Sequence, residues 1–213
     1  MRSIDAVITW VDGSDKEYKK RLEKHLTTPT NYKKQYLQAN EIEYCVKSIL
    51  KFAPFVRRIF IVTDNQKPSF SGLEDLIESK KVKVVDHKEI FNGYEKYLPT
   101  FNIRSIDTVL HRIEDLSEMF VYFNDDVFLI NKIREEDWFV KNKVVLMGKW
   151  AKSYSANPLK VLSGKFKKIF GLRPSFNASQ SKAANISGFK KEYFNCSLAD
   201  LRFKKLDKAP KLF

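Results

Sequence analysis

Short runs of β-branched and apolar residues recur between stretches of helical period, and this alternation is what most limits the folds open to the chain. Ile4-Asp5-Ala6-Val7-Ile8-Thr9-Trp10 is the first run, and it ends in the turn chemistry of Val11-Asp12-Gly13-Ser14-Asp15. Arg58-Ile59-Phe60-Ile61-Val62-Thr63 is the second, closed by Asp64-Asn65-Gln66-Lys67-Pro68. Val82 to Val85 is the third, ending in Asp86-His87. Met119-Phe120-Val121-Tyr122-Phe123 is the fourth, interrupted by Asn124-Asp125-Asp126 before Val127 to Ile130 resume the apolar pattern. Runs this short and this apolar suit strands that are buried on both faces.

The intervening segments read as helices. Lys16 to Leu26 is highly charged with helical content, and Thr27 to Gln38 reads as a loop. Asn40 followed three residues later by Glu43 reads as a capping box, after which Ile42, Val46, Ile49, Leu50 and Ala53 recur at helical spacing up to Pro54. A helix is expected over Gly72 to Ser79, and another from an Asn102 cap to about Arg112, with Ile103, Ile106, Val109 and Leu110 on one face. The pattern therefore predicts an α/β fold with a mainly parallel central sheet and helices on both faces. In such a sheet the carboxyl ends of the strands share one edge, where ligands bind. Three strands end in acids, namely Asp12, Asp64, and Asp125 with Asp126, so groups far apart in sequence are expected to converge there.

Charge is unevenly placed along the chain of 213 residues, whose formal net charge is +13. Residues 1–150 hold 25 Lys and Arg against 23 Asp and Glu, net +2, whereas residues 151–213 hold 14 against 3, net +11. The expected organisation is an α/β core over 1–150 followed by a basic extension over 151–213. No apolar run approaches the ~20 residues that span a bilayer. Met1-Arg2-Ser3 leads straight into a strand-like segment with no secretory signal, which places the expected core in the cytoplasm. Cys45 and Cys196 are the only cysteines, so a disulfide framework or a cysteine zinc site is not expected.

Several motifs bear on chemistry. Two adjacent carboxylates at Asp125 and Asp126, set between apolar stretches, are costly to desolvate unless a cation compensates them. A hard ion, Mg²⁺ or Mn²⁺, fits that need, and a solvated strand-connecting turn is the competing reading. Trp10 to Asp15 joins an aromatic face, two acids and Gly13, a combination that can stack a base or sugar and admit a phosphate, or simply form a tight turn over a packed Trp. Neither a P-loop nor a GxGxxG fingerprint is present, and no HExxH or GxSxG occurs. Of the three histidines, His25 reads as a surface residue, and His87 and His111 stand where they can line a site edge, a structural role being the favoured reading for each. Lys165, Lys167 and Lys168 beside Phe166, Ile169 and Phe170 form an amphipathic pattern suited to an anionic membrane surface, with nucleic acid as the less favoured polyanion and a solvated lysine-rich surface as an equal competitor to both.

The order of these motifs resembles one family. Ile4 to Asp15 is similar to the first conserved region of the Stealth proteins, sugar-phosphate transferases of capsular polysaccharide and exopolysaccharide synthesis that are related to GlcNAc-1-phosphotransferase. The second conserved region resembles Asn40 to Tyr44, Ser48 to Pro54, Ile61 to Gln66, Val85 to Phe91, Leu98 to Asn102 and Phe123 to Phe128. The resemblance implies a nucleotide-sugar-binding core of glycosyltransferase-A-like type, a divalent metal, a UDP-sugar donor and a polysaccharide or lipid-linked glycan acceptor. It implies transfer of hexose-1-phosphate onto a glycan hydroxyl with release of UMP. Asp12, Gly13, Asp15 and Asp64 then belong to the donor pocket, with Trp10 shaping it, and Asp125 and Asp126 to the metal and acceptor side. Asn102 and Arg104 are expected to donate to phosphate oxygens.

The chain also departs from the family pattern. Stealth proteins carry a third region with a catalytic-type His and a fourth with Arg and acidic residues. No histidine follows His111; Cys196 to Lys205 resembles the third region with Leu198 where the His belongs, and the fourth is not found. Loss of such an acid–base group is expected to slow turnover by roughly 10²- to 10⁴-fold. An ordinary glycosyltransferase using the same donor, or a non-catalytic binding subunit, are the alternatives this leaves open.

Overall fold

The computed structural model describes residues 3–25, 39–141, 143–145, 147–152, 192–195 and 207–208, with isolated positions between 159 and 188. The chain divides into two compact units, Met1–Glu135 and Glu136–Phe213.

Four strands build the first unit: β1 (Ile4–Thr9), β2 (Val56–Thr63), β3 (Val82–Asp86) and β4 (Met119–Asn124). They form one sheet in the order β3-β2-β1-β4, and every neighbouring pair runs parallel. This is the α/β architecture that the alternation of motifs predicts. All six residues of β1 are buried, as a central parallel strand covered on both faces requires. On one face Val7, Phe60, Val62 and Val85 pack with Ile90, Phe91, Ile106, Leu110 and Ile113. On the other, Ala6, Ile8, Ile59 and Ile61 are equally closed to solvent. Side-chain alternation along each strand thus supplies two cores from one set of apolar runs.

The helices of this unit are α1 (Lys16–His25), α2 (Glu41–Phe52), α3 (Leu73–Glu78), α4 (His87–Ile90) and α5 (Ile103–Asp107). The helical spacing in α2 holds: Ile42, Val46 and Ile49 are buried, joined by Cys45 and Ser48. Its expected capping box does not. Asn40 sits at φ 63°, makes no side-chain cap, and donates from its amide to the Glu43 carboxylate instead. The true capping box belongs to α4, where the Asp86 side chain accepts from the backbone and Glu89 reaches back to the Asp86 N–H at 2.8 Å. The helix expected from Asn102 to Arg112 is broken. It stops after Asp107, Thr108 Oγ1 donates to Ser105 O at 2.8 Å, and a separate 3₁₀ turn covers Leu110–Arg112. Two successive β-branched residues, Thr108 and Val109, with a hydroxyl competing for a helical carbonyl, account for the break.

A one-turn helix, α6 (Glu135–Trp138), is followed in the second unit by the hairpin β5 (Phe139–Val140) and β6 (Lys143–Val144). There β7 (Met147–Lys152) pairs antiparallel with β8 (Glu192–Asn195) and with β9 (Asp207–Lys208). The stretch resembling a third conserved region, residues 196–205, lies outside the described residues.

A charged residue is buried among the apolar side chains of the central strand. Asp5 is wholly buried within β1, accepts from Arg57 Nε at 2.9 Å and Nη2 at 2.6 Å, and accepts from Ser117 N at 2.7 Å. It therefore ties β2 and the entry to β4 together across β1. Burial alone pushes the Asp5 pKa up, but the Arg57 and Ser117 hydrogen bonds outweigh it and hold the carboxyl below its ordinary 3.8. A carboxyl that ionises more readily when folded stabilises the fold above its unfolded pKa, and that contribution is lost as pH falls through the folded value. Asp5→Asn is expected to cost about 2–4 kcal/mol at pH 7 by urea unfolding, and to lose less stability between pH 6 and pH 3 than the parent does. Parallel pH profiles for the two proteins would remove Asp5 from this role.

Candidate active site

The chain lays down β1, then β2, then β3 outward on one side, and returns to add β4 on the other side of β1. The strand order reverses between β1 and β4, which makes their carboxyl ends the topological switch point of the sheet. There Thr9 is in register with Asn124 on one side and with Val62 on the other. The loop Trp10–Asp15 and the turn Asn124–Asp126 consequently leave adjacent strands side by side, although more than a hundred residues separate them.

The loop after β1 is held by its own side chains. Trp10 continues the strand through a hydrogen bond to Val62 O at 2.9 Å and is only 8% exposed, so its ring is part of the packing. Asp12 Oδ1 accepts from Ser14 N at 2.7 Å and Ser14 Oγ at 2.6 Å. Its main chain is clasped by Gln66, which accepts from Asp12 N and donates to Asp12 O, both at 2.9 Å. Gly13 is buried and is not among the positive-φ glycines, so a left-handed turn does not explain it. Asp15 caps α1 by accepting from Tyr18 N at 2.6 Å. Asp64, after β2, accepts from Arg21 Nη2 of α1 at 2.9 Å.

The turn after β4 is carried by α2. Asn124 O accepts from Val127 N at 3.1 Å and from the Cys45 thiol at 3.7 Å. Leu129 N donates to Ser48 Oγ at 3.1 Å, and Ile133 N donates to Phe52 O at 2.8 Å. Positions 45, 48 and 52 lie along one helix face, so α2 satisfies a following segment that has no ladder of its own. Asp125 is half-buried and Asp126 exposed, so the desolvation cost anticipated for two acids between apolar runs does not arise at this turn. Cys45 is buried, and burial, with the Asp125 and Asp126 charges adding to it, pushes its thiol up to about 12.

Between the two loops lies a polar network that the sequence did not single out. The Tyr122 hydroxyl is shared between Asn124 Oδ1 at 2.9 Å and Thr9 Oγ1 at 2.8 Å. Asp107 reaches the same hydroxyl, and its carboxyl is raised above the usual carboxylate range by burial, with the Tyr122 hydrogen bond pulling the other way. Burial likewise pushes Tyr122 up to about 12. Period-2 counting marked Thr9 and Tyr122 as strand residues, and only the β1–β4 register reveals that they meet. His87 is buried at the end of β3, where burial lowers its pKa and Asp64 and Asp86 oppose that. His25 and His111 are exposed. Asn102 spends its Oδ1 on Arg104 N at 3.1 Å, capping the five-residue α5, and both residues are exposed.

Residues 2–26 match the model of Stealth protein conserved region 1, and residues 35–147 match that of conserved region 2. The chain belongs to the Stealth family. It is 40% identical over 151 residues to the capsular polysaccharide phosphotransferase cps1A of Actinobacillus pleuropneumoniae, an alignment covering 67% of this chain and 40% of that protein. It is 41% identical over 145 residues to the capsular polysaccharide phosphotransferase fcs1 of Haemophilus influenzae, covering 65% and 38%. An exopolysaccharide phosphotransferase of Streptomyces coelicolor is 38% identical over 145 residues, covering 65% and 26%. The chain thus spans about two fifths of the length of the first relatives it matches.

In Stealth terms, conserved region 1 supplies β1, its loop and α1, while region 2 supplies α2 and the remaining strands of the sheet. The switch point is where the two regions meet. The parallel α/β core agrees with a glycosyltransferase-A-like architecture. Among the described residues no group of three or more His, Cys, Asp or Glu gathers as an ion cage. Two hard carboxylates on one accessible turn suit the way Mg²⁺ is held by one or two carboxylates plus water and substrate phosphates.

Because Cys45 is buried with its thiol pushed up to about 12, only about one molecule in 10⁴ carries the thiolate at pH 8. In a Cys196→Ser background, labelling with a thiol reagent at pH 8 is expected only after denaturant is added. Rapid labelling of the native protein would place the α2 face open to solvent.

Proposed function

We propose that this chain carries the donor site of a transferase that moves hexose-1-phosphate from a UDP-sugar onto a glycan hydroxyl in capsular polysaccharide or exopolysaccharide synthesis. The acceptor oxygen attacks the sugar-bearing phosphorus. A new P–O bond forms there as the bond to the bridging pyrophosphate oxygen breaks. UMP leaves with that electron pair, and the hydroxyl proton passes to a base. The observation that carries this reading is the adjacency of the Trp10–Asp15 loop and the Asn124–Asp126 turn at the switch point, in a family whose named relatives are polysaccharide phosphotransferases.

In this reading Asp12, Gly13 and Asp15 shape the donor pocket next to the packed Trp10, and the Gln66 clasp preorganises the loop before any ligand arrives. Asp64, paired with Arg21, fixes the neighbouring wall. Asp125 and Asp126 would hold Mg²⁺ or Mn²⁺, which when bound supplies charge neutralisation to the phosphate oxygens. Asp126, exposed at the turn, also faces the acceptor side. Asn102, its Oδ1 already engaged, keeps its amide N–H groups for a phosphate oxygen, with the Arg104 guanidinium beside it.

Calorimetric titration with UDP-GlcNAc and Mg²⁺ tests the donor site. Asp126→Ala is expected to weaken Mg²⁺-dependent binding by about tenfold or more, corresponding to one lost charge-assisted contact. Equal affinity for variant and parent would remove Asp126 from the metal role. Product analysis tests the reaction: UMP with a phosphodiester product supports phosphotransfer, and UDP would show ordinary glycosyl transfer.

The same reading includes a peripheral membrane contact at the inner face of the cytoplasmic membrane, where lipid-linked glycans are built. None of the helices among the described residues is long and apolar enough to cross a bilayer. Leu159, Leu162, Phe166, Ile169 and Phe170 recur at helical spacing and are each more than 60% exposed, while Lys160, Lys165, Lys167 and Lys168 intersperse them in sequence. Sedimentation with phosphatidylglycerol-containing vesicles, absent with pure phosphatidylcholine and abolished by Phe166→Asp with Phe170→Asp, is the expected result. Failure to sediment with either vesicle would remove the contact.

A further inference from the structure

The segment between α4 and α5 presents two tyrosines to solvent. Tyr94 is 52% exposed and Tyr97 58%. Their backbones form one 3₁₀ turn, closed by Tyr97 N donating to Tyr94 O at 3.0 Å. Three residues per turn eclipses side chains at i and i+3, which is why the rings align. Their centroids are 6.5 Å apart and their planes are within 27° of parallel. That separation exceeds the ~3.5–4.0 Å of two faces in contact, so neither ring sheathes the other.

This turn is fixed from beneath. Gly93 takes φ +80°, a conformation that favours glycine, and its N–H donates to Glu95 Oε1 at 2.7 Å. Arg112 donates to Ile90 O at 2.9 Å and to Asn92 O at 2.6 Å, and its guanidinium lies 4.9 Å from the Tyr94 ring centre. The Lys96 ammonium lies 5.1 Å from the Tyr97 ring centre. Beside Arg112 a hollow of about 600 Å³ is lined by Lys88, Glu89, Asn92 and Glu114. Two exposed aromatic rings held rigid at low entropic cost, with a cation against each, are not explained by folding, since burial would stabilise them more.

We infer that the Tyr94–Tyr97 turn, with Lys96 and Arg112, is a docking surface for the acceptor glycan chain. Pyranose C–H faces carry slight positive charge and settle on the negative faces of aromatic rings, so a ring pair suits successive sugars. A polymer built through phosphodiesters carries one negative charge per linkage, which Lys96 and Arg112 can meet, each lying against a ring in a turn that also holds Glu95. This inference rests on the phosphodiester-forming reaction proposed above, and it adds where the growing chain is held. The segment follows α4 at the carboxyl end of β3 and leads to Phe101, whose ring packs 5.6 Å from Tyr18 of α1. The surface therefore belongs to the same edge of the sheet as the donor loops.

Calorimetry with the full chain tests it, using three probes of equal length: a phosphodiester-linked hexose oligomer, a neutral maltooligosaccharide and a single-stranded oligodeoxynucleotide. The phosphodiester glycan is expected to bind most tightly. Tyr94→Ala and Tyr97→Ala are each expected to weaken it by at least about fivefold, while Tyr94→Phe and Tyr97→Phe stay within about twofold, since the ring face and not the hydroxyl is what binds. UDP-GlcNAc binding should be unchanged in all four variants. Unaltered glycan affinity in the Ala variants overturns the inference, as does an oligonucleotide that binds the same tyrosines as tightly. Wild-type protein that binds UDP-GlcNAc but no glycan sinks this surface and leaves the donor site standing; the reverse pattern sinks the donor site and leaves the surface.

Discussion

The central strand β1 is paired in parallel on both sides and buried on both faces, and this one constraint organises the rest of the first unit. A strand so enclosed must have every backbone donor and acceptor matched by β2 and β4, and every side chain matched by packing. Parallel pairing forces each connection to cross back over the sheet, so all carboxyl ends finish on one edge. Because β4 joins on the side opposite to β2, the loops after β1 and β4 leave neighbouring strands at the point where the strand order reverses.

The two edges of the sheet are treated differently by the chemistry placed there. At the amino edge a buried charge, Asp5, binds Arg57 and Ser117 and locks three strands in register. At the carboxyl edge, side chains hold loop main chain: Gln66 clasps Asp12, Asp86 accepts from Asn65 N at 2.6 Å, and Arg21 grips Asp64. Each of these bonds joins the loop of one strand to an element beside it. The loops are therefore tied to neighbouring elements by their own side chains, as preorganised recognition requires. The cost of shaping this edge is visible in three buried atoms without a hydrogen-bond partner among the described residues, Arg21 Nε, Thr63 Oγ1 and His87 Nδ1, all on residues of this edge.

The strands were legible because burial on two faces leaves an unmistakable local signature; Ile59 to Val62 can hardly be anything else. Caps were less legible because several donors and acceptors compete at each helix end. Asn40 and Glu43 have the spacing of a capping box, yet Asn40 adopts a left-handed backbone and its amide turns to Glu43, while Asp86 and Glu89, which passed as a strand end, make the real one. The broken helix after Asp107 shows the same competition, with the Thr108 hydroxyl taking a carbonyl that continued helix would use. Asp125 and Asp126 were picked out by their setting between apolar runs, but their surroundings came out accessible because α2 draws the chain after the turn alongside itself through Ser48 and Phe52.

Read alone, the amino acids determined the four strands of the central sheet, its parallel class and the acidic character of its carboxyl edge, since apolar period and turn chemistry are properties of neighbours in the chain. The tertiary structure decided which of those acids stand open and which are occupied. It turned Asp15 into a helix cap and Asp64 into a partner of Arg21, left Asp126 exposed, joined Thr9 to Tyr122, and set Tyr94 beside Tyr97 over Arg112. Hydrogen bonds and ring contacts of that kind depend on strand order and register, and these follow from the sum of packing over the whole sheet, which no local stretch of sequence contains.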